Sequence, residues 1–479
     1  MNLSSTVARA ALDPLLNPAT AFNRLFPQLP AWQPPGRTEA KQIAWIADLA
    51  DGMFQGKRGE NPAIPAGYTY FGQLINHDLT FDAQSGLLER LDPARLRAIR
   101  PPRFDLDSVY GRGPQDEPQL YLYSNPTKLL EGRNQDGELD IPRNRDTSTD
   151  RYGTTRYARY RPALTADARD DETIMIGQMH LALIRFHNRR IDEGATFDEA
   201  RRLTRWHYQW VALHDFLTRL CGADTVTRTL NSYRDGSGML SHVPPRPFLP
   251  IEFSVAAYRF GHAMVRDTYD LNDWLHGHRG ALNLFESGVA EYGLGGGREL
   301  PPGWTIQWEL FVNSGISLPQ NSMLISPALS PRLRNLPIRD PKDNRERSLA
   351  FRTLQRGWRL ALPSGQQVAA ALKQRPLDGV RAGFEDPLWI YVLREAQLSS
   401  GGVKLGAVGA EIVAQVFVGC LLEDPGSFLH ADPEWTPVLP AQRNSFGLRD
   451  LLFHAGMPMT RDDWNLRPGA GPGGPPPQP

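Results

Sequence analysis

Apolar residues recur at helical spacing in the most regular stretches of the chain. Ile176, Met179, Leu183 and Phe186 form one stripe, and carrying it backwards brings Glu172 and Arg169 to the same face. Phe253, Ala257, Phe260 and Met264 predict a second helix over about 253–266, and a third is expected over 410–422. A further segment, Tyr70 to Phe81 (YFGQLINHDLTF), sets Gln73 and His77 one turn apart on one face if helical. Asp78 is then turned about 100° away. Alternating strand patterns are scarce, with Trp304 to Phe311 the one candidate. Short helices joined by Pro/Gly loops dominate, so the fold class is mainly α, a helical domain with long loops and little β.

Composition narrows the picture. The 479 residues carry 53 Lys+Arg against 53 Asp+Glu, a zero net charge that argues against a protein living on the phosphate backbone of nucleic acid. With 41% hydrophobic and 22% charged residues, a wholly disordered chain is excluded. The longest apolar stretch, Ile412 to Leu422, is interrupted by Gln415 and too short to span a bilayer. Cys221 and Cys420 form neither a disulfide framework nor a zinc spacing. The N-terminus, MNLSSTVARAALDPLL, lacks the pattern of a secretory signal, which leaves the cytoplasm as the default, or export by a non-classical route. Proline and glycine divide the chain into an extended N-terminal arm (1–37), one domain (38–467) and a Pro/Gly tail (468–479) expected to be disordered.

Four segments carry candidate chemistry. His77 beside Asp78 reads, on its own, as a satisfied core or surface histidine. Arg169 and Glu172 open a helix either as an ion pair at its start or as the lining of a cavity. In AYRFGHAMVRD, Arg259 stands three residues before His262, and Gly261 leaves room for something bulky beside the imidazole. Leu349 to Gln366 passes as a structural helix. His180 and His187 on the long helix, and the pair His276 and His278, read as structural or surface residues.

Taken in order, these segments resemble the animal haem peroxidases, the superfamily of myeloperoxidase, lactoperoxidase and the cyclooxygenases, and especially its bacterial members. The motifs are GQ-x-x-x-HD, D-x-x-YG, D-x-R-x-x-E, RFGH and Q-R…LPSG, and they run from roughly Asn61 to Phe428. The resemblance implies a haem peroxidase that reduces hydrogen peroxide and oxidises a halide, thiocyanate or small organic donor through a ferryl intermediate. It implies haem b as cofactor, no nucleic-acid partner and no membrane span. His262 matches the proximal iron ligand, His77 the distal proton shuttle, and Arg169 the cation that steadies the leaving oxygen. Gln73 matches the residue beside the distal water or halide. Arg259 stands where the dioxygenase branch has its radical tyrosine, and Tyr258 is one residue away. This favours peroxidase over the alternatives, a haem fatty-acid dioxygenase or a non-catalytic haem-binding or adhesion module.

Departures from the family pattern shape further expectations. Glu172 matches one of two ester-forming carboxylates, whereas Asn76 stands where the other would be and cannot form an ester. Thr173 replaces the methionine of the sulfonium link. Thr353 aligns with the asparagine that accepts a hydrogen bond from the proximal histidine. Asp78, Asp105, Asp107 and the carbonyl of Arg103 match a calcium site in which Pro101 replaces a threonine ligand. The stretch RYGTTRYARYR (151–161) has a pattern that stacks single-stranded nucleic acid, but a loop at the mouth of the haem pocket is the preferred reading.

Overall fold

The computed structural model describes residues 22–80, 101–143, 161–242, 248–285, 293–315, 317–336, 343–441, 445–460 and 462–463. Residues 151–160 of the Arg/Tyr stretch and the whole of the Pro/Gly tail lie outside these. The principal helices are α1 (Glu39–Gly52), α2 (Gly67–Leu79), α3 (Ile174–Asp192), α4 (Phe197–Trp210), α5 (Ala223–Arg234), α6 (Leu349–Arg359), α7 (Leu388–Ser400) and α8 (Ala407–Glu423). Among the described residues the sheets are all two-stranded. One is parallel, with Phe22 opposite Leu249; another is antiparallel, with Asn321 opposite Pro65.

Local chemistry sets the helix starts. Thr196 and Glu199 form a reciprocal capping box at the head of α4. The Thr173 hydroxyl accepts from the amide of Ile176 at 3.4 Å, which fixes the first turn of α3. α2 has no capping side chain; instead Gly67 N donates to Phe311 O at 2.8 Å. A Cβ at Gly67 would lie 2.6 Å from that same oxygen, so this junction needs a glycine. α3 is buried along nearly its whole length between α2 and α4. α8, apolar on all sides, is equally enclosed. A single hydrophobic core runs from Phe22 to Met459, and Phe22, Leu25, Phe26 and Trp32 from the expected arm belong to it. No described helix is long and apolar enough to cross a membrane.

Two expected elements differ. The helix predicted over 253–266 is three short pieces: a π-turn at Glu252–Ala256, a 3-10 turn at Ala257–Phe260 and an α-turn at Gly261–Met264. Ala256 leaves helical geometry (φ −130°, ψ −71°), so the apolar stripe survives while its 3.6-residue period does not. Trp304 to Phe311 is not a strand. Trp308–Leu310 is a 3-10 turn, and its alternating apolar residues are buried because the segment is enclosed by core on all sides.

Candidate active site

Helix α2, the 3-10 turn Ala168–Asp171, the broken 252–264 segment and α6 converge on one cavity of about 600 Å³. Its lining includes Gln73, Asn76 and His77 from α2, Arg169 and Glu172, Tyr258, Arg259 and His262 from the broken segment, and Arg352, Thr353 and Arg356 from α6. The two imidazoles, 185 positions apart by their numbers, thus share one cavity.

Arg169 and Glu172 do not lie on the long helix. They belong to a separate 3-10 turn that ends at Glu172, and Thr173 caps the helix that follows. This turn grips His77 from two sides. Asp170, fully buried, bonds His77 Nδ1 through one oxygen at 2.7 Å and His180 Nδ1 through the other at 2.8 Å. Burial alone would raise the Asp170 carboxyl, but the hydrogen bonds from His180 and His77 hold it well below the usual carboxylate range. A carboxylate only accepts, so Nδ1 of His77 carries a proton, and in the neutral ring the lone pair is on Nε2. Arg169 Nη2 donates to the carbonyl of His77 at 2.9 Å and to Asp167 at 2.6 Å. Gln73 Nε2 donates to Glu172 Oε2 at 3.1 Å.

On the opposite side of the sequence, His262 has its Nδ1 buried and without a hydrogen-bond partner. Burial, with the charge of Arg259 added, holds this imidazole down to about 3 and therefore neutral. Thr353 does not supply the expected acceptor. Its hydroxyl donates to Leu349 O at 2.9 Å within its own helix, as threonine does when an i−4 carbonyl is in reach. Trp389 packs edge-on against His262, with ring centroids 5.9 Å apart at 84°.

The cavity is cationic: four arginines line it, and Glu172 is the one carboxylate among its described lining residues. Arg259 donates through Nε to Ser254 O at 2.9 Å. Burial, then the like charge of Arg356, pulls its guanidinium down to about 9. Such a surplus suits a ligand bearing anionic groups. A volume of this size is within the range of about 300–1,000 Å³ of small-molecule and cofactor sites. Neutral His262, with one ring nitrogen buried, is an available nitrogen donor for a metal. The residues present therefore fit an anionic metal cofactor.

Asp78 and Asp105, from the expected calcium site, each have protein partners. Asp78 Oδ2 accepts from Leu106 N at 3.1 Å and from the Tyr208 hydroxyl at 3.2 Å. Asp105 faces Arg205 at 3.3 Å and accepts from Asp107 N at 3.3 Å. Among the described residues no three His, Cys, Asp or Glu side chains gather around a metal position. A guanidinium is already the cation at Asp105.

Sequence reasoning missed Asp170, His180, Arg352, Arg356 and Trp389. The acid next to Arg169 and the i, i+4 arginines of α6 were the available signals; only the fold shows which neighbours they meet. His187 is structural, as read, bonding Tyr110 and the carbonyl of Thr127.

Two peroxidases are among the proteins similar to this chain. Mouse thyroid peroxidase is 26% identical over 175 residues, 34% of this chain and 19% of that protein. Human eosinophil peroxidase is 32% identical over 123 residues, 24% of this chain and 16% of that protein. The chain thus spans about a fifth or less of the length of these relatives. Among solved structures, peroxidase A from Dictyostelium discoideum superposes with a TM-score of 0.59 at 14% identity, covering 86% of this chain and 88% of that one. A fatty acid alpha-dioxygenase from Oryza sativa gives 0.54 at 13% identity, covering 94% and 81%. The likeness to both structures is one of fold. The animal haem peroxidase model matches residues 101–364, more than half the chain, including Arg169, Glu172, Arg259 and His262 but not Gln73 or His77. The chain belongs to the animal haem peroxidase family, and haem is the cofactor that family implies.

Proposed function

We propose that this chain is a haem peroxidase, reducing hydrogen peroxide and oxidising a halide, thiocyanate or small organic donor. The observation that carries this reading is the single cavity lined by both His77 and His262. Haem bound there supplies an iron that relays electrons from donor to peroxide. His262 would hold that iron, and Arg259, Arg352 and Arg356 would neutralise the anionic groups of the cofactor. His77 Nε2 takes the proton from the near oxygen of peroxide and returns it to the far oxygen as water departs. Asp170 holds the other ring proton on Nδ1, so Nε2 is the nitrogen that takes up the proton and gives it back. Arg169, anchored by Asp167, offsets the negative charge that grows on the departing oxygen. Gln73 positions the distal water or halide.

The test is an absorption spectrum of purified protein with and without peroxide. A haem band that changes on adding peroxide and recovers on adding donor supports the reading; protein without haem, or haem indifferent to peroxide, overturns it. His77→Ala should retain haem and slow the peroxide step by about 10²–10⁴-fold in stopped-flow.

Glu172 is the candidate for one ester link. Native, peroxide-exposed protein should then keep its haem through acid–acetone extraction, and Glu172→Gln should release it. Calcium held by Asp78, Asp105, Asp107 and the carbonyl of Arg103 stays part of the reading that the family resemblance carries, with Arg205 as the rival cation at Asp105. The dioxygenase reading has Tyr258 at the cavity wall in its favour. That phenol, however, donates to Gly72 O at 3.1 Å and its ring stacks on Phe253 at 4.7 Å, a packing role. Oxygen uptake with an unsaturated fatty acid that is lost in Tyr258→Phe would reverse the preference.

A further inference from the structure

A line of tryptophans leaves the cavity wall that the chemistry above does not use. It starts at Trp389, 2% exposed and edge-on to His262 at 5.9 Å, whose Nε1 donates to Arg259 O at 3.1 Å. Trp389 and Trp32 line one slot of only about 10 Å³, walled by Leu354 and Leu362. Trp32 Nε1 donates to Glu385 O at 2.9 Å, and its ring lies 5.7 Å from that of Trp45. Trp45, on α1, is partly exposed, with the Arg381 guanidinium 5.0 Å above its ring.

Buried tryptophans ordinarily only pack. What sets these apart is their sequence, from contact with His262, through a slot that Trp389 and Trp32 both line, to a residue that reaches solvent. Indole is among the most readily oxidised side chains, and electron transfer weakens steeply with separation, so neighbouring rings provide the shortest steps. We propose that Trp389, Trp32 and Trp45 form an electron-transfer path through which a one-electron donor too large for the cavity is oxidised at Trp45. This rests on the peroxidase reading. Hydrogen peroxide takes two electrons and two protons and becomes two waters. Each electron is drawn from Trp389, leaving an indole radical cation. It keeps its N–H proton, because the Arg259 carbonyl accepts a hydrogen bond but is too weak a base to remove it. Trp32 and then Trp45 refill the vacancy, and an external donor gives one electron to Trp45, so two donors are oxidised per peroxide.

The experiment uses the full haem-loaded chain, freeze-quenched after peroxide without donor and read by electron paramagnetic resonance. Oxidation of ferrocytochrome c, a donor confined to the surface, and of iodide is followed in parallel. Native protein should show a tryptophanyl radical that is lost in Trp389→Phe. Trp45→Phe and Trp32→Phe should lose ferrocytochrome c oxidation while keeping that of iodide, and Trp206→Phe, in a separate aromatic cluster, should change neither. Should Trp389→Phe fail to fold, the Trp45 and Trp32 variants decide alone. A radical that persists in folded Trp389→Phe, or native rates with ferrocytochrome c in both outer variants, overturns the path. Native protein that consumes no peroxide instead refutes the peroxidase reading and removes this proposal with it.

Discussion

At the scale of single residues, the site is organised by acids that never face the cavity. Asp170 has each oxygen committed to a histidine and is fully buried, so its replacement strands two imidazoles at once. Asp170→Asn presents an amide that can donate as well as accept, and His77 loses its enforced tautomer. The expected outcome is a slower reaction with peroxide, part of the His77→Ala loss, with haem content unchanged; stopped-flow mixing against a haem titration checks it. The motif histidines and arginine were legible in the sequence because their roles demand particular residue types. Asp170 and His180 were not, since an acid beside an arginine and a histidine in an apolar helix have bland explanations until the fold brings them within hydrogen-bond distance.

At the scale of elements, regular helices were legible and irregular ones were not. α8 falls where periodicity places it, with ends within a few residues, and the 70–81 segment, taken as helical only conditionally, lies largely in α2. The segment carrying Arg259 and His262 was read as one helix because its apolar residues keep helical spacing, yet two changes of helical pitch lie inside it. The exchange of Tyr258 for Arg259 therefore turns a side chain by the angle of a 3-10 turn, about 120°, rather than that of an α-helix. Both residues still reach the cavity wall. Another element depends on a partner that sequence pattern cannot reveal. α8 begins at Gly406 with no capping side chain of its own, and Glu395 of α7 accepts from Val408 N at 2.9 Å and Gly409 N at 3.3 Å in its place. Glu395→Ala should cost about 1–2 kcal/mol, a lowered denaturant midpoint at unchanged slope. Gly406 presses on that side chain: a Cβ there would meet Glu395 Cγ at 2.3 Å.

For the whole molecule, one core from Phe22 to Met459 means that distant packing contributes to the stability of the cavity. Burial holds His187 and His207 down to about 4, below the free imidazole value of 6.5. The unfolded chain then binds protons that the folded chain refuses, so stability is full above about pH 6.5 and is lost as pH falls towards 4. The ceiling is roughly 3 kcal/mol for each ring. Thermal melting from pH 7 to pH 5 should show a falling midpoint, and the fall should be smaller in His187→Asn than in the native chain.

The grip on His77 closes on itself. Asp170 holds the ring, Arg169 holds the backbone of the same residue, and Asp167 steadies Arg169, all from one short turn facing one helix. A change at any member of this circuit leaves the others misaligned, so paired substitutions within it should depart from the sum of their single effects. Anyone transplanting His77 into another scaffold would have to carry the turn along with it.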